Sequence, residues 1–128
     1  VVSKSRATRI GERIQQELMD VILTRSQDPR LNGLSVTQVS VDRELAYANV
    51  YVCVLEGQER SKEVLAALEH AQGYLRSELA HRIELRSFPR LRFHWDATLE
   101  RAEKIESLLA SLREEPKPAD DQGSDEPA

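Results

Sequence analysis

Apolar positions near the start recur at helical spacing. Ile10, Ile14, Leu18, Val21 and Ile22 form one stripe and predict a helix over Thr8–Arg25. Ser5 or Thr8 can cap it, and Arg9 and Arg13, four apart, share one face. Asp28-Pro29-Arg30 ends it, because the residue before a proline is pushed out of helical geometry, and Asn32-Gly33 predicts a turn. The period then drops to two. In Leu34–Asp42, Leu34 and Val36 lie on one parity and Val39 and Val41 on the other. That change of parity predicts a β-bulge near Thr37–Gln38. Leu45–Leu55 alternates without a break, with Ala46, Ala48, Val50, Val52 and Val54 opposing Tyr47, Asn49, Tyr51 and Cys53. Asp42-Arg43-Glu44 is short enough to join the two strands as a hairpin.

Helical spacing returns at Val64, Leu65, Leu68 and Ala71, with Ser61 as the cap, and continues through Leu75, Leu79 and Ile83. Gly73 interrupts it, and a glycine inside a helix costs about 1 kcal/mol relative to alanine. The reading is two helices, 61–71 and 74–82, meeting at a kink formed by Ala71, Gln72 and Gly73. Pro89 precedes a third strand, Leu91–Trp95, with Leu91, Phe93 and Trp95 on one face and Arg92 and His94 on the other. Asp96 or Thr98 caps a last helix striped by Leu99, Ala102, Ile105, Leu108, Leu109 and Leu112. The order α-β-β-α-kink-α-β-α predicts an α+β domain over residues 1–113, a three-stranded sheet with helices on one face. From Glu114 the composition turns to Pro, Asp, Glu, Gly, Ser and Ala, which predicts an acidic disordered tail over 114–128.

The chain's 128 residues allow one modest core. A net charge of −4 argues against nucleic acid until its distribution is considered. The tail from Glu114 carries −5, which leaves the body at +1. Of 18 basic residues 14 are arginine, whose planar fork matches phosphate geometry. They cluster: Lys4, Arg6, Arg9 and Arg13 at the start, and Arg76, Arg82, Arg86, Arg90 and Arg92 later. From the residues alone, phosphate contact and a solvated surface, with Glu78 and Glu84 interleaved, explain the second cluster equally well. Glycine kinks more often serve helix packing than anions, and strand aromatics more often serve the core than bases. Tyr47 and Tyr51, opposite the Ala-Val face, are the only stacking candidates.

Other chemistries find little support. No apolar run approaches the roughly 20 residues that span a bilayer, Val1–Ile10 has no signal-type stretch, and Cys53 has no partner for an internal disulfide. A cytoplasmic protein is expected, and a start at Val1 without methionine suggests a processed or non-standard start. His70, His81 and His94 fall on separate elements without metal-site spacing, and Cys53 lacks an accompanying histidine and acid. No glycine-rich nucleotide loop follows a strand. Neither an enzyme nor a cofactor is expected.

Five stretches, in order, resemble the ribosome-binding factor A family. They are the helix from Arg9 to Leu23, the Asp28-Pro29-Arg30-Leu31 loop, the hairpin Asp42–Val52, the segment Ala71–Leu79 and the approach Arg86–Phe93. The resemblance covers about residues 5–112. Asn32 departs from it, standing between Leu31 and Gly33 where the family runs leucine directly into glycine. The resemblance implies a KH-like fold of the second type, with Ala71-Gln72-Gly73 standing where ordinary KH domains carry a Gly-x-x-Gly phosphate clamp. It implies binding to 16S rRNA on the free small (30S) ribosomal subunit, help in late maturation including the 16S 5′ end, and importance for growth in the cold. It implies a non-catalytic, monomeric protein without cofactor or metal, with assembly GTPases as candidate partners. Arg9, Arg13, Arg30, Ala71, Gln72, Gly73, Arg76, Arg82, Arg86 and Arg90 are the candidate RNA-binding residues. A KH-like protein-interaction module, or another kind of RNA-binding protein, is the alternative.

Overall fold

The computed structural model describes residues 1–114, in two units, Val1–Asp96 and a second that begins at Ala97. The tail expected over 114–128 lies outside the described residues, apart from Glu114 at the end of the last helix. The first unit holds α1 (Lys4–Arg25), β1 (Leu34–Val41), β2 (Tyr47–Val54), α2 (Ser61–His70), α3 (Gln72–Arg82) and β3 (Arg90–Trp95). The second holds α4 (Thr98–Glu114). The sheet order is β1-β2-β3, with β1 and β2 antiparallel and β3 parallel to β2. The element order and the three-stranded α+β architecture agree with the sequence pattern.

Alternation places the core. Ala48, Val50, Val52 and Val54 of β2 are buried, and the residues between them are half-exposed. Against that buried face pack Ile14, Leu18 and Val21 of α1, Val64 and Leu68 of α2, and Leu75 and Leu79 of α3. Leu91 and Phe93 extend it across β3. The parity change in β1 is a bulge: pairing shifts register between Val36 and Gln38.

Several starts differ from the sequence reading. α3 opens at Gln72 rather than 74, so the helix break is Ala71 alone and Gln72 and Gly73 are helical, and β2 opens at Tyr47 rather than Leu45. α1 begins at Lys4, a turn early, because Ser3 rather than Ser5 or Thr8 caps it, its Oγ accepting the Arg6 N–H at 3.0 Å. The added turn buries Ala7. Ser61 opens α2 without a side-chain cap, since the 3₁₀ turn Gln58–Arg60 runs straight into the helix. One glycine has a steric duty the periodicity does not announce. A Cβ on Gly11 would stand 2.6 Å from the Val39 carbonyl oxygen, so the missing side chain lets α1 lie on β1.

The loop after α1 is tightly tied. Arg30 donates its backbone N–H to Asp28 Oδ1 at 3.0 Å and its guanidinium to Asp28 Oδ2 at 2.7 Å. Half-buried Arg60 donates to the carbonyls of Arg30 and Asn32 at 2.6 and 3.2 Å, and pairs with Glu56 and Glu63. Asn32 is thus built into the loop as an acceptor for Arg60. Chiefly through the Arg30 side chain, then its backbone N–H, the Asp28 carboxyl is held down to about 2. A depressed carboxylate stabilises the fold above its unfolded value and loses that contribution as pH falls through about 2. Asp28→Asn is therefore expected to melt earlier than wild type at pH 7, with the gap closing as melts are repeated towards pH 2. A gap independent of pH would assign the effect to something other than the carboxylate.

Candidate nucleic-acid interface

The kink lies between α2 and α3. Ala71 closes α2, its N–H reaching the Ala67 carbonyl at 3.0 Å, and its own carbonyl accepts from Leu75 N–H at 2.9 Å. Gln72 does not face outward as a free donor: its side-chain amide bonds the Leu91 carbonyl and ties α3 to β3. Gly73 has ordinary helical backbone, and a Cβ there would meet nothing within 4 Å. Neither conformation nor packing requires glycine at this position. No side chain caps α3, and its positive dipole end lies at the kink.

Arg76, one turn on, donates to the carbonyls of Phe88 and Pro89 at 2.6 and 3.2 Å while remaining exposed. It fixes the loop that carries Arg86. Gly73, Arg76, Leu85 and Arg86 line one shallow groove, of about 460 Å³. Leu85 also lines the next, with Arg6, Arg9, Arg13 and Glu84. The two grooves form one basic track with a single carboxylate, Glu84, on its walls. The side chains of Arg6, Arg9 and Arg86 are exposed and make no hydrogen bond or ion pair among the described residues.

Other arginines are engaged inside the protein. Arg82 is half-buried and bonds Asp20 at 2.6 Å and Glu17 at 3.2 Å, which hold its guanidinium still more firmly protonated. Arg13 bonds the other oxygen of Glu17 and the Arg82 carbonyl, at 3.2 and 3.1 Å, and keeps a half-exposed head. This network clamps α1 to the end of α3. Arg30 is occupied with Asp28, near the other flank of the kink. Arg90 alternates with buried Leu91 and so projects from the sheet face opposite α1, α2 and α3. Of the candidate residues, the structure gathers Arg9, Arg13, Gly73, Arg76 and Arg86 along the track, while Arg82 is tied to Glu17 and Asp20 behind it. Gln72 and Ala71 shape it, while Arg30 and Arg90 lie apart.

Arg6 on the track and Arg60 in the loop were outside the candidate set. Arg6 stands three residues before Arg9, a helical spacing that could have placed it on the same face. Arg60 acts on backbone carbonyls, which leave no trace in residue type. Among the described residues no three His, Cys, Asp or Glu side chains gather in a way that could hold a metal ion. No described helix is long and apolar enough to cross a membrane.

A three-stranded sheet with a helix–kink–helix on one face and a basic track beside the kink defines a KH-like domain of the second type. The family model described as Ribosome-binding factor A matches residues 6–109. The chain belongs to that family. It is 40% identical to the ribosome-binding factor A of Staphylococcus carnosus over 111 residues, covering 87% of this chain and 96% of that protein. It is 41% identical to that of Hahella chejuensis over 127 residues, 94% of each. The crystal structure of ribosome-binding factor A from Thermus thermophilus superposes with a TM-score of 0.61 at 30% identity, over 69% of this chain and 93% of that one. A Thermus thermophilus homology model fitted into the cryo-EM map of a complex with the 30S subunit gives 0.60 at 30% identity, over 71% and 97%.

Gly73→Ala separates fold from function. Relieved of glycine's backbone entropy, the variant should gain up to about 1 kcal/mol of stability in denaturant titration. It should bind RNA less tightly, because the methyl stands where a phosphate would approach the backbone. Unchanged RNA affinity would remove the kink from the interface.

Proposed function

We propose that this protein binds the small ribosomal subunit through its 16S rRNA and assists late maturation of that subunit without catalysing a reaction. The observation that carries the reading is the continuous basic track from the uncapped start of α3, at Gly73, through Arg76 and Arg86 to Arg9 and Arg6. Guanidinium groups along it neutralise phosphates and release counterions, and the helix start adds the positive end of its dipole. The fitted Thermus relative supports the choice of the 30S subunit. In this reading a monomer occupies an immature rRNA arrangement in the cytoplasm until it can fold correctly. The 16S 5′ end and growth in the cold are where its loss is felt, and an assembly GTPase is a candidate for its release.

Co-sedimentation with purified small and large subunits across a salt series tests this. Binding to the small subunit alone, falling steeply with salt, is expected. No binding at low salt would sink the reading. Binding indifferent to salt would favour a protein-interaction module instead.

A further inference from the structure

The face of the sheet turned away from α1, α2 and α3 has an unusual composition. Because Ala48, Val50, Val52 and Val54 point to the core, Tyr47, Asn49 and Tyr51 point the other way. The parallel register sets Arg90 beside Tyr47, Arg92 beside Asn49 and His94 beside Tyr51, and β1 adds Ser40 and Gln38. None of the three strands contains an Asp or Glu, although acids outnumber bases in the chain by 22 to 18. Two carboxylates at the strand ends are occupied. Asp42 accepts the N–H groups of Ala46 and Tyr47, and Asp96 accepts the Thr37 hydroxyl.

The planar groups on this face are already paired. The Arg92 guanidinium carbon lies 3.5 Å from the centre of the Tyr47 ring, and Arg92 remains exposed. The Tyr51 and His94 rings stack with centroids 5.0 Å apart at 27°, and His94 Nε2 is 2.9 Å from Asn49 Oδ1. Each pairing holds flat groups in fixed orientations, which lowers the entropy lost when a third flat group joins. A guanidinium stacked on tyrosine also keeps its in-plane N–H donors for phosphate or a base edge.

We infer that this sheet face is a second contact surface, which takes single-stranded RNA by stacking unpaired bases on the Arg92–Tyr47 and His94–Tyr51 pairs. The match is one of charge and shape: a cationic, carboxylate-free platform of planar groups fits a polyanion whose base faces are free. A duplex hides those faces and offers the platform only phosphates. The inference does not rest on the basic track, since the two surfaces lie on opposite sides of the sheet.

The test uses the full chain and a labelled single-stranded RNA of about ten nucleotides, free or annealed to its complement. Fluorescence anisotropy should show the single strand bound more tightly than the duplex. Arg92→Gln/Tyr51→Leu should weaken single-strand binding at least about tenfold. Arg9→Glu/Arg86→Glu, which alters the track alone, should keep the preference for single strands. In NMR spectra of the wild type, ring resonances of Tyr47, Tyr51 and His94 should shift on adding the single strand. Unmoved ring resonances, or wild-type affinity in a folded Arg92→Gln/Tyr51→Leu variant, would overturn the inference. Loss of subunit binding by the track variant would leave it standing, so the two surfaces fail independently.

Discussion

Reversing Arg9 and Arg86 together to glutamate is expected to lower affinity for the small subunit about a hundredfold or more, with melting temperature nearly unchanged. The two effects separate because neither side chain has a partner within the described protein, so nothing that stabilises the fold is lost. A hydrogen bond to a charged group is worth about 1.5–3 kcal/mol, so two lost phosphate contacts suffice for a hundredfold even before repulsion is counted. The salt dependence should also flatten, by about one unit of logarithmic slope for each contact removed. Arg82→Glu is a poor substitute for either. It would set a carboxylate against Asp20 and Glu17 and loosen α1 from α3, so a loss of binding would not locate the interface. A folded Arg9→Glu/Arg86→Glu variant that sediments with the small subunit like wild type would move the interface off the track.

Gly11→Ala carries the largest expected cost in stability, about 1–3 kcal/mol, readable as a lower denaturant midpoint. Its added methyl would meet a backbone carbonyl at 2.6 Å, and a carbonyl held in a strand cannot rotate aside as a flexible side chain would. Either α1 lifts from β1 or the strand bends. Both open the packing around Ile10 and Ile14. Better helix propensity returns at most about 1 kcal/mol. Gly11→Ala and Gly73→Ala make the same chemical change in two helices, and their stability effects should have opposite signs. Equal effects would show that the α1–β1 approach is looser than the geometry implies.

Much of the architecture was legible because it depends on period alone. The unbroken alternation of Ala48 through Val54 identified the central strand, and the parity change between Val36 and Val39 located the bulge. Gly73 announced a break in its stretch but misplaced it: the helices part at Ala71, and the glycine lies inside α3. What stayed hidden depends on partners distant in the chain. Arg82 finds Asp20 and Glu17, Gln72 finds Leu91, and Arg76 finds Phe88 and Pro89. An arginine has the same letter whether it meets a phosphate or a carbonyl. Gly11 was illegible for the converse reason: its role is the volume it does not fill, and the neighbour it spares belongs to another element. The α1 cap was ambiguous because three hydroxyl residues, Ser3, Ser5 and Thr8, precede the apolar stripe.

The parallel pairing of β3 with β2 bears on when the basic track comes into being. The β1–β2 ribbon closes through residues 42–46, so it can form from neighbouring segments. β3 reaches β2 only after residues 55–89 have closed a long loop, and that entropy is spent before any parallel contact returns it. The bonds from Gln72 to Leu91 and from Arg76 to Phe88, which set α3 beside Arg86, wait on the same event. A newly made chain can therefore hold its ribbon and still present no ordered array of guanidinium groups. Under the proposed function, competence to engage a ribosomal particle would arrive with the last strand, and an incompletely folded copy would be barred from the very particle whose own folding it would assist.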